Sequence, residues 1–183
     1  MPQQVIHIFG ASGSGTSTLG SYVSSRLGCF FMDTDDYFWE PTDPPFQVKR
    51  TVSARLTRME ADILSQERVV LSGALAGWGD PLIPLFTLAV RLETDTDLRL
   101  ARIRQRERAR WGSRIDTGGD MYQTHSDFLT WAAAYDTGSV AMRSKAKHDL
   151  WQETLPCPVL CLNGAAPLEE NFRRIQSYLT MDR

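Results

Sequence analysis

Three cysteines and three histidines are all that this chain offers to thiol or imidazole chemistry. Cys29, Cys157 and Cys161 are odd in number and sit in apolar contexts. They read as reduced core thiols, with a disulfide or metal pair from Cys157 and Cys161 as the alternative. His7, His125 and His148 are isolated and lack metal-ligand spacing, which makes them structural residues. No apolar run is long enough to span a membrane, and Met1-Pro2-Gln3-Gln4 has no basic region of a secretory signal. A cytoplasmic location without a membrane partner is expected. A charge excess is missing too: 20 basic against 22 acidic residues leave a net charge of -2. The surface as a whole is therefore not built to attract nucleic acid. Repeats and low-complexity linkers are absent. What is present is an ordinary soluble composition, 42% hydrophobic and 23% charged, over 183 residues. One domain spanning 1–183 is expected.

Short apolar runs alternate with amphipathic stretches, the pattern of an α/β fold with a parallel sheet flanked by helices. Candidate strands are Val5–Phe9, Cys29–Asp33, Val69–Ser72, Leu88–Leu92 and Val159–Leu162. Helical spacing links Leu19, Val23 and Leu27. It also links Val48, Val52, Leu56, Met59 and Ile63, and again Leu168, Phe172, Ile175 and Leu179. These apolar stripes are expected in the core.

The first strand runs into Gly10-Ala11-Ser12-Gly13-Ser14-Gly15-Thr16-Ser17-Thr18, and a helical stretch follows. The spacing is that of a phosphate-binding loop, G-x-x-x-x-G-K-[ST], except that Thr16 replaces the lysine. Glycines let the backbone turn its N–H groups inward onto phosphate, and the following helix adds its N-terminal dipole. Ser17 stands where the motif places a hydroxyl on Mg2+. Gly10, Ser12, Gly13, Ser14, Gly15, Thr16, Ser17 and Thr18 are thus the candidate nucleotide-binding residues.

The string Gly13-Ser14-Gly15-Thr16-Ser17-Thr18 resembles the loop of archaeal-type cytidylate kinases, which also lacks the lysine. More broadly the chain resembles the nucleoside monophosphate kinase branch of P-loop kinases. That resemblance implies five strands in the order 2-3-1-4-5, an acceptor-covering region at about 35–66 and an arginine-rich lid at about 108–125. It also implies ATP with Mg2+, and an adenine site near Asn163.

In such sheets ligands gather at the carboxyl ends of the strands. There Asp33-Thr34-Asp35-Asp36 follows the second strand. Asp33 and Asp35 point the same way if the strand persists. The run looks like the D-[ST]-D of shikimate-kinase-type enzymes, which implies Asp33 in the magnesium shell and Asp35 at an acceptor hydroxyl. A helix cap is the plainer alternative.

From Arg99 to Arg114 the chain carries seven arginines and one acid, Glu107. The run is too basic for a buried helix, and Arg99, Arg102, Arg106 and Arg110 fall on one helical face. The resemblance implies that Arg102, Arg106 and Arg110, with Arg143 from a later stretch, reach donor phosphates. A solvated or RNA-facing helix is the alternative. The loop Ser72-Gly73-Ala74 and the aromatics Tyr37, Phe38, Trp39 and Trp78 border the same edge, while Arg50, Arg55 and Arg58 read as an exposed helix face.

The expected activity is ATP-dependent phosphoryl transfer to a small acceptor, first a nucleoside monophosphate. The alternatives are a hydroxyl acceptor of the shikimate, gluconate or nucleoside kind, a non-catalytic NTP-binding protein, or RNA binding by the arginine helix.

Overall fold

The computed structural model describes residues 3–181. Five strands lie at its centre: β1 (Gln4–Gly10), β2 (Phe30–Asp33), β3 (Arg68–Ser72), β4 (Leu88–Glu93) and β5 (Val159–Asn163). All pair in parallel, in the order β2-β3-β1-β4-β5. Each expected strand matches within one residue at either end. The strand order implied by the family resemblance is the one observed.

The helices are α1 (Thr16–Leu27), α2 (Thr34–Phe38), α3 (Val52–Leu64), α4 (Thr96–Trp111), α5 (Tyr122–Ala133), α6 (Lys145–Gln152) and α7 (Leu168–Met181). Side-chain alternation along β1 divides the core. Val5 and Phe9 face Met59 and Ile63 of α3 and Trp151 of α6. Ile6 and Ile8 face Leu19 and Val23 of α1 and Phe172 and Ile175 of α7. A parallel sheet covered on both faces explains why its strands are near-continuous apolar runs. Each fully buried Ile, Leu or Phe stabilises by about 1.5–3 kcal/mol, more than an exposed ion pair. The sheet centre therefore fixes the strand ends, and the loops at those ends inherit their positions.

Two parts of the apolar pattern need correction. Val48 and Val52 are about half exposed, so that stripe enters the core only further along α3. Cys161 is exposed on β5 rather than buried, and all three cysteines are free thiols. Among the described residues no helix is long and apolar enough to cross a membrane.

Candidate active site

β1 ends at Gly10 and α1 starts at Thr16, so the glycine-rich segment forms the turn between strand and helix. The Ser14 N–H donates to the Ala11 carbonyl at 3.1 Å, closing the turn. Gly13 and Gly15 hold φ of +79° and +100°. A Cβ at Gly13 would lie 2.5 Å from the Arg99 carbonyl oxygen. No side chain caps α1, which leaves the N–H donors of its first turn available to an anion. Ser17 and Thr18 are exposed beside them.

Arginines surround this loop from outside. Arg99 is fully buried, against the expectation of a solvent-facing basic helix. Its Nε donates to Thr94 O at 3.1 Å, Nη1 to Ser12 O and Ala132 O at 3.3 and 3.2 Å, and Nη2 to Thr96 Oγ1 and Asp136 Oδ2 at 2.6 and 3.3 Å. Five donors with five acceptors make the burial tolerable. One turn on, Arg102 donates to Ser14 O at 3.3 Å and Gly164 O at 3.0 Å. Arg143, just before α6, donates to Gly10 O at 2.6 Å. Arg106 is half exposed, 3.7 Å from Glu107. Arg110 is exposed and stacks near the Trp111 ring. The expected single face thus divides: Arg99 and Arg102 hold loop backbone, while Arg106 and Arg110 stay more open.

β2 does not persist through the acidic run. It stops at Asp33, whose Oδ1 accepts the Asp35 N–H at 3.0 Å and caps α2. Asp33 and Asp35 are therefore not two positions of one strand face. Thr34 is buried between them, and Gly73, at φ +113°, has no side chain because a Cβ would collide with Thr34 Oγ1. Asp35 reaches solvent at its surface but lies in a crowded recess. That crowding, and then the charge of Asp33, pushes its carboxyl up from the usual range; Arg143 and Arg106 pull the other way. The arrangement brings Asp33, Asp35, Arg106 and Arg143 within electrostatic reach of one another beside the loop. Ser72, paired in register with Asp33, ends β3 with a buried, unpartnered hydroxyl.

Arg55 is not the exposed residue expected of it. Its side chain is buried, its guanidinium lies 3.7 Å from the Phe38 ring centroid and 5.1 Å from that of Trp78, and its Nε has no partner. Among the described residues no carboxylate pairs with it. Burial lowers its pKa. The sequence held a signal: Arg55, Met59 and Ile63 are spaced by four and share the buried face of α3. Arg50 clamps backbone instead, donating to the carbonyls of Asp36, Tyr37 and Trp39 and pairing with Glu40. Arg58 is exposed.

Asn163 closes a local turn, its Oδ1 accepting the Ala165 N–H at 2.8 Å. An open recess of about 510 Å³ lies beside the loop, lined by Ala11, Thr94, Asp136, Lys145 and Asn163 among others; Asp35 and Arg55 do not line it. Over the opposite side, Arg114 pairs with Asp120 at 2.7 Å and with Asp43 at 3.1 Å. The Trp111 and Phe46 rings meet at 6.5 Å. His7 and His148 are buried, bonded to Gly73 O and the Tyr135 hydroxyl. His125 pairs with Glu107 between α5 and α4.

This fold is that of P-loop small-molecule kinases. Deoxyadenosine kinase from M. mycoides with bound dATP superposes with a TM-score of 0.59 at 16% identity, over 97% of this chain and 100% of that one. Shikimate kinase from Acinetobacter baumannii in complex with shikimate gives 0.56 at 17% identity, over 99% and 95%. No protein-family model matches the chain. The uncharacterized protein YqaC of Bacillus subtilis (strain 168) is 42% identical over 175 residues, 96% of this chain and 97% of that protein. The chain belongs to the YqaC family.

Proposed function

We propose that this protein transfers a phosphoryl group from a nucleoside triphosphate, ATP in the first instance, to a hydroxyl of a small acceptor that carries an anionic group. The observation that carries the reading is the Asp35 carboxyl, its proton affinity raised, beside a glycine-rich anion loop and within reach of Arg106 and Arg143. Residues 35–66 then cover the acceptor and 108–125 form the lid.

Asp35 accepts the proton of the acceptor hydroxyl as its oxygen bonds to the terminal phosphorus. The bond from that phosphorus to the bridging oxygen breaks, and the nucleoside diphosphate leaves. A carboxyl shifted upward is a better base for this purpose than an ordinary one. Arg106 and Arg143 face the charge that spreads over the transferred group. Arg55, a buried cation with no acid of its own, matches an acceptor carboxylate or phosphate. The exposed Ser17 hydroxyl and the Asp33 oxygen not used in capping α2 suit Mg2+, which prefers hard oxygen ligands and would take the rest from phosphate and water. When bound, Mg2+ neutralises phosphate charge.

A nucleoside monophosphate is the second reading. It would bring the anion that Arg55 lacks, but its own phosphate would make the Asp35 base superfluous. Coupled release of ADP across hydroxy acids, nucleosides and nucleoside monophosphates separates the two. Turnover is expected with hydroxylated acids. Fastest turnover with a monophosphate would return the assignment to the second reading. ATP binding without turnover on any acceptor would support a non-catalytic NTP-binding protein.

A further inference from the structure

We infer that the positive charge absent at Thr16 is supplied from the outer side of the loop, through its peptide groups, by Arg99, Arg102 and Arg143. The inference rests on the nucleotide reading of the loop and adds a charge device to it. Arg143 donates to Gly10 O at 2.6 Å, Arg99 to Ser12 O at 3.3 Å and Arg102 to Ser14 O at 3.3 Å. Three alternate carbonyls of one short loop each accept from a different guanidinium. The intervening Ala11 carbonyl is taken by the Ser14 N–H within the turn.

Each gripped carbonyl shares a rigid peptide plane with the next residue's N–H. Those N–H groups belong to Ala11, Gly13 and Gly15. A cation on the oxygen offsets the negative end of the peptide dipole and polarises the unit, so its N–H end becomes more positive. Gly13 and Gly15 have left-handed φ, the backbone form that turns successive N–H groups into an anion-binding concavity. The cations and the anion thus lie on opposite sides of the same peptide units.

A purely mechanical tie would not need this chemistry. A neutral hydroxyl can hold a loop carbonyl too, as Thr94 Oγ1 does by donating to Ser14 O at 3.1 Å, though with a weaker bond than a guanidinium makes. Three cations on five residues exceed what holding the turn requires. Their charge is only partly offset, by Asp136 near Arg99 and by Asp35 and Asp33 within electrostatic reach of Arg143. Arg99 shares Asp136, but Arg102 and Arg143 pair with no carboxylate among the described residues. Salt screens buried or partly buried charges weakly, and Arg99 is fully enclosed. Thr16 by contrast can give phosphate one neutral hydrogen bond. Arg99 and Arg102 are positioning residues here: they touch the loop, and the loop touches the phosphates; Arg143 grips the loop in the same way and also faces the transferred group.

Arg102 is the residue to test, because it is only partly buried. Binding of ATP and of inorganic tripolyphosphate is measured by calorimetry for the wild type, Arg102→Lys and Arg102→Gln, with melting temperatures alongside. Gln keeps a hydrogen-bond donor and loses the charge; Lys keeps the charge. Arg102→Gln is expected to weaken both ligands about tenfold, and Arg102→Lys by less than about threefold, at similar melting temperatures. Thr16→Lys should restore the Arg102→Gln protein to within about threefold of the Thr16→Lys single variant. Equal losses for Lys and Gln, or no loss for Gln, overturn the inference. A loss seen with ATP but not with tripolyphosphate also overturns it, since Arg102 would then act on the base near Gly164. If Arg102→Gln fails to fold, Arg102→Met, also neutral and of similar length, is compared with Arg102→Lys by the same criterion. A wild-type protein that binds neither ligand sinks the nucleotide reading itself; undiminished binding by a neutral Gln variant sinks only the charge device.

Discussion

At the scale of single residues, Asp35 and Gly13 make opposite demands. In the proposed reaction Asp35 takes up a proton, and Asn has the same shape without the basicity. Asp35→Asn is expected to lower turnover by about 10²–10⁴ while leaving ATP affinity within about threefold. A loss in steady-state rate below about threefold would show that the acceptor nucleophile needs no base. Gly13 is there for what it lacks. A methyl group would meet the Arg99 carbonyl oxygen at 2.5 Å, in a backbone conformation of φ +79°. The obstacle is backbone, not the end of a flexible chain, so it cannot swing aside. Gly13→Ala should cost about 1–3 kcal/mol in urea denaturation and should weaken ATP binding as well. An unchanged denaturation midpoint would mean that α4 can retreat from the loop.

Between elements, one exposed ion pair joins the segment proposed as a lid to the segment proposed to cover the acceptor. Arg114 is pinned to Asp120 on its own segment and reaches Asp43 across the gap. Asp43 is almost fully exposed, and such pairs are worth at most about 1 kcal/mol. That suits a contact which, in the proposed cycle, would break each time the lid opens. Asp43→Ala is expected to raise the acceptor KM about two- to fivefold with the melting temperature unchanged. An unaltered KM would mean that the pair forms without bearing on the acceptor. The sheet and helices α1 and α7 were legible in sequence because their apolar periods are uninterrupted and follow the core. The glycine-rich turn between β1 and α1 was legible because its spacing is that of a strand–loop–helix turn. Asp33 as a cap was not, because a four-residue strand and a short helix look alike at their junction. Arg55 and Arg99 were misread for one reason. A charged residue on a helix is taken for solvent-facing, and only a tally of available acceptors or aromatic faces shows that burial can be tolerated.

For the molecule as a whole, two buried histidines tie stability to pH. Burial in an aromatic cluster lowers His7 to about 4. Burial, with the nearby charges of Arg143 and Arg91, lowers His148 to about 3. In the unfolded chain both titrate near 6.5. The folded state therefore holds fewer protons, and stability is greatest above that value. It should fall as pH drops below about 6.5 toward the folded values, by about 1.4 kcal/mol per pH unit for each histidine. The exposed carboxylates held low by ion pairs, Asp116, Asp120 and Glu169, add their own loss only at more acidic pH. Urea denaturation between pH 7.5 and 5 reads the histidine effect, which the upward-shifted Asp35 opposes in sign. A flat profile across that range would mean that both imidazoles take up protons without disturbing the core.

The meeting of Trp111 and Phe46 has one more consequence. Trp111 closes α4 at the root of the proposed lid, and among the described residues its aromatic neighbour is Phe46 of the proposed acceptor cover. If the proposed covers part, the indole would exchange a phenyl ring for water. The chain contains five tryptophans, and Trp111 lies at that junction, with Trp39 on the other side of Phe46. Its ultraviolet emission should shift to longer wavelength on opening and return on closure. On the proposed cycle, the protein would thus carry a built-in optical gauge of opening and closure, readable in a stopped-flow cell without any attached dye.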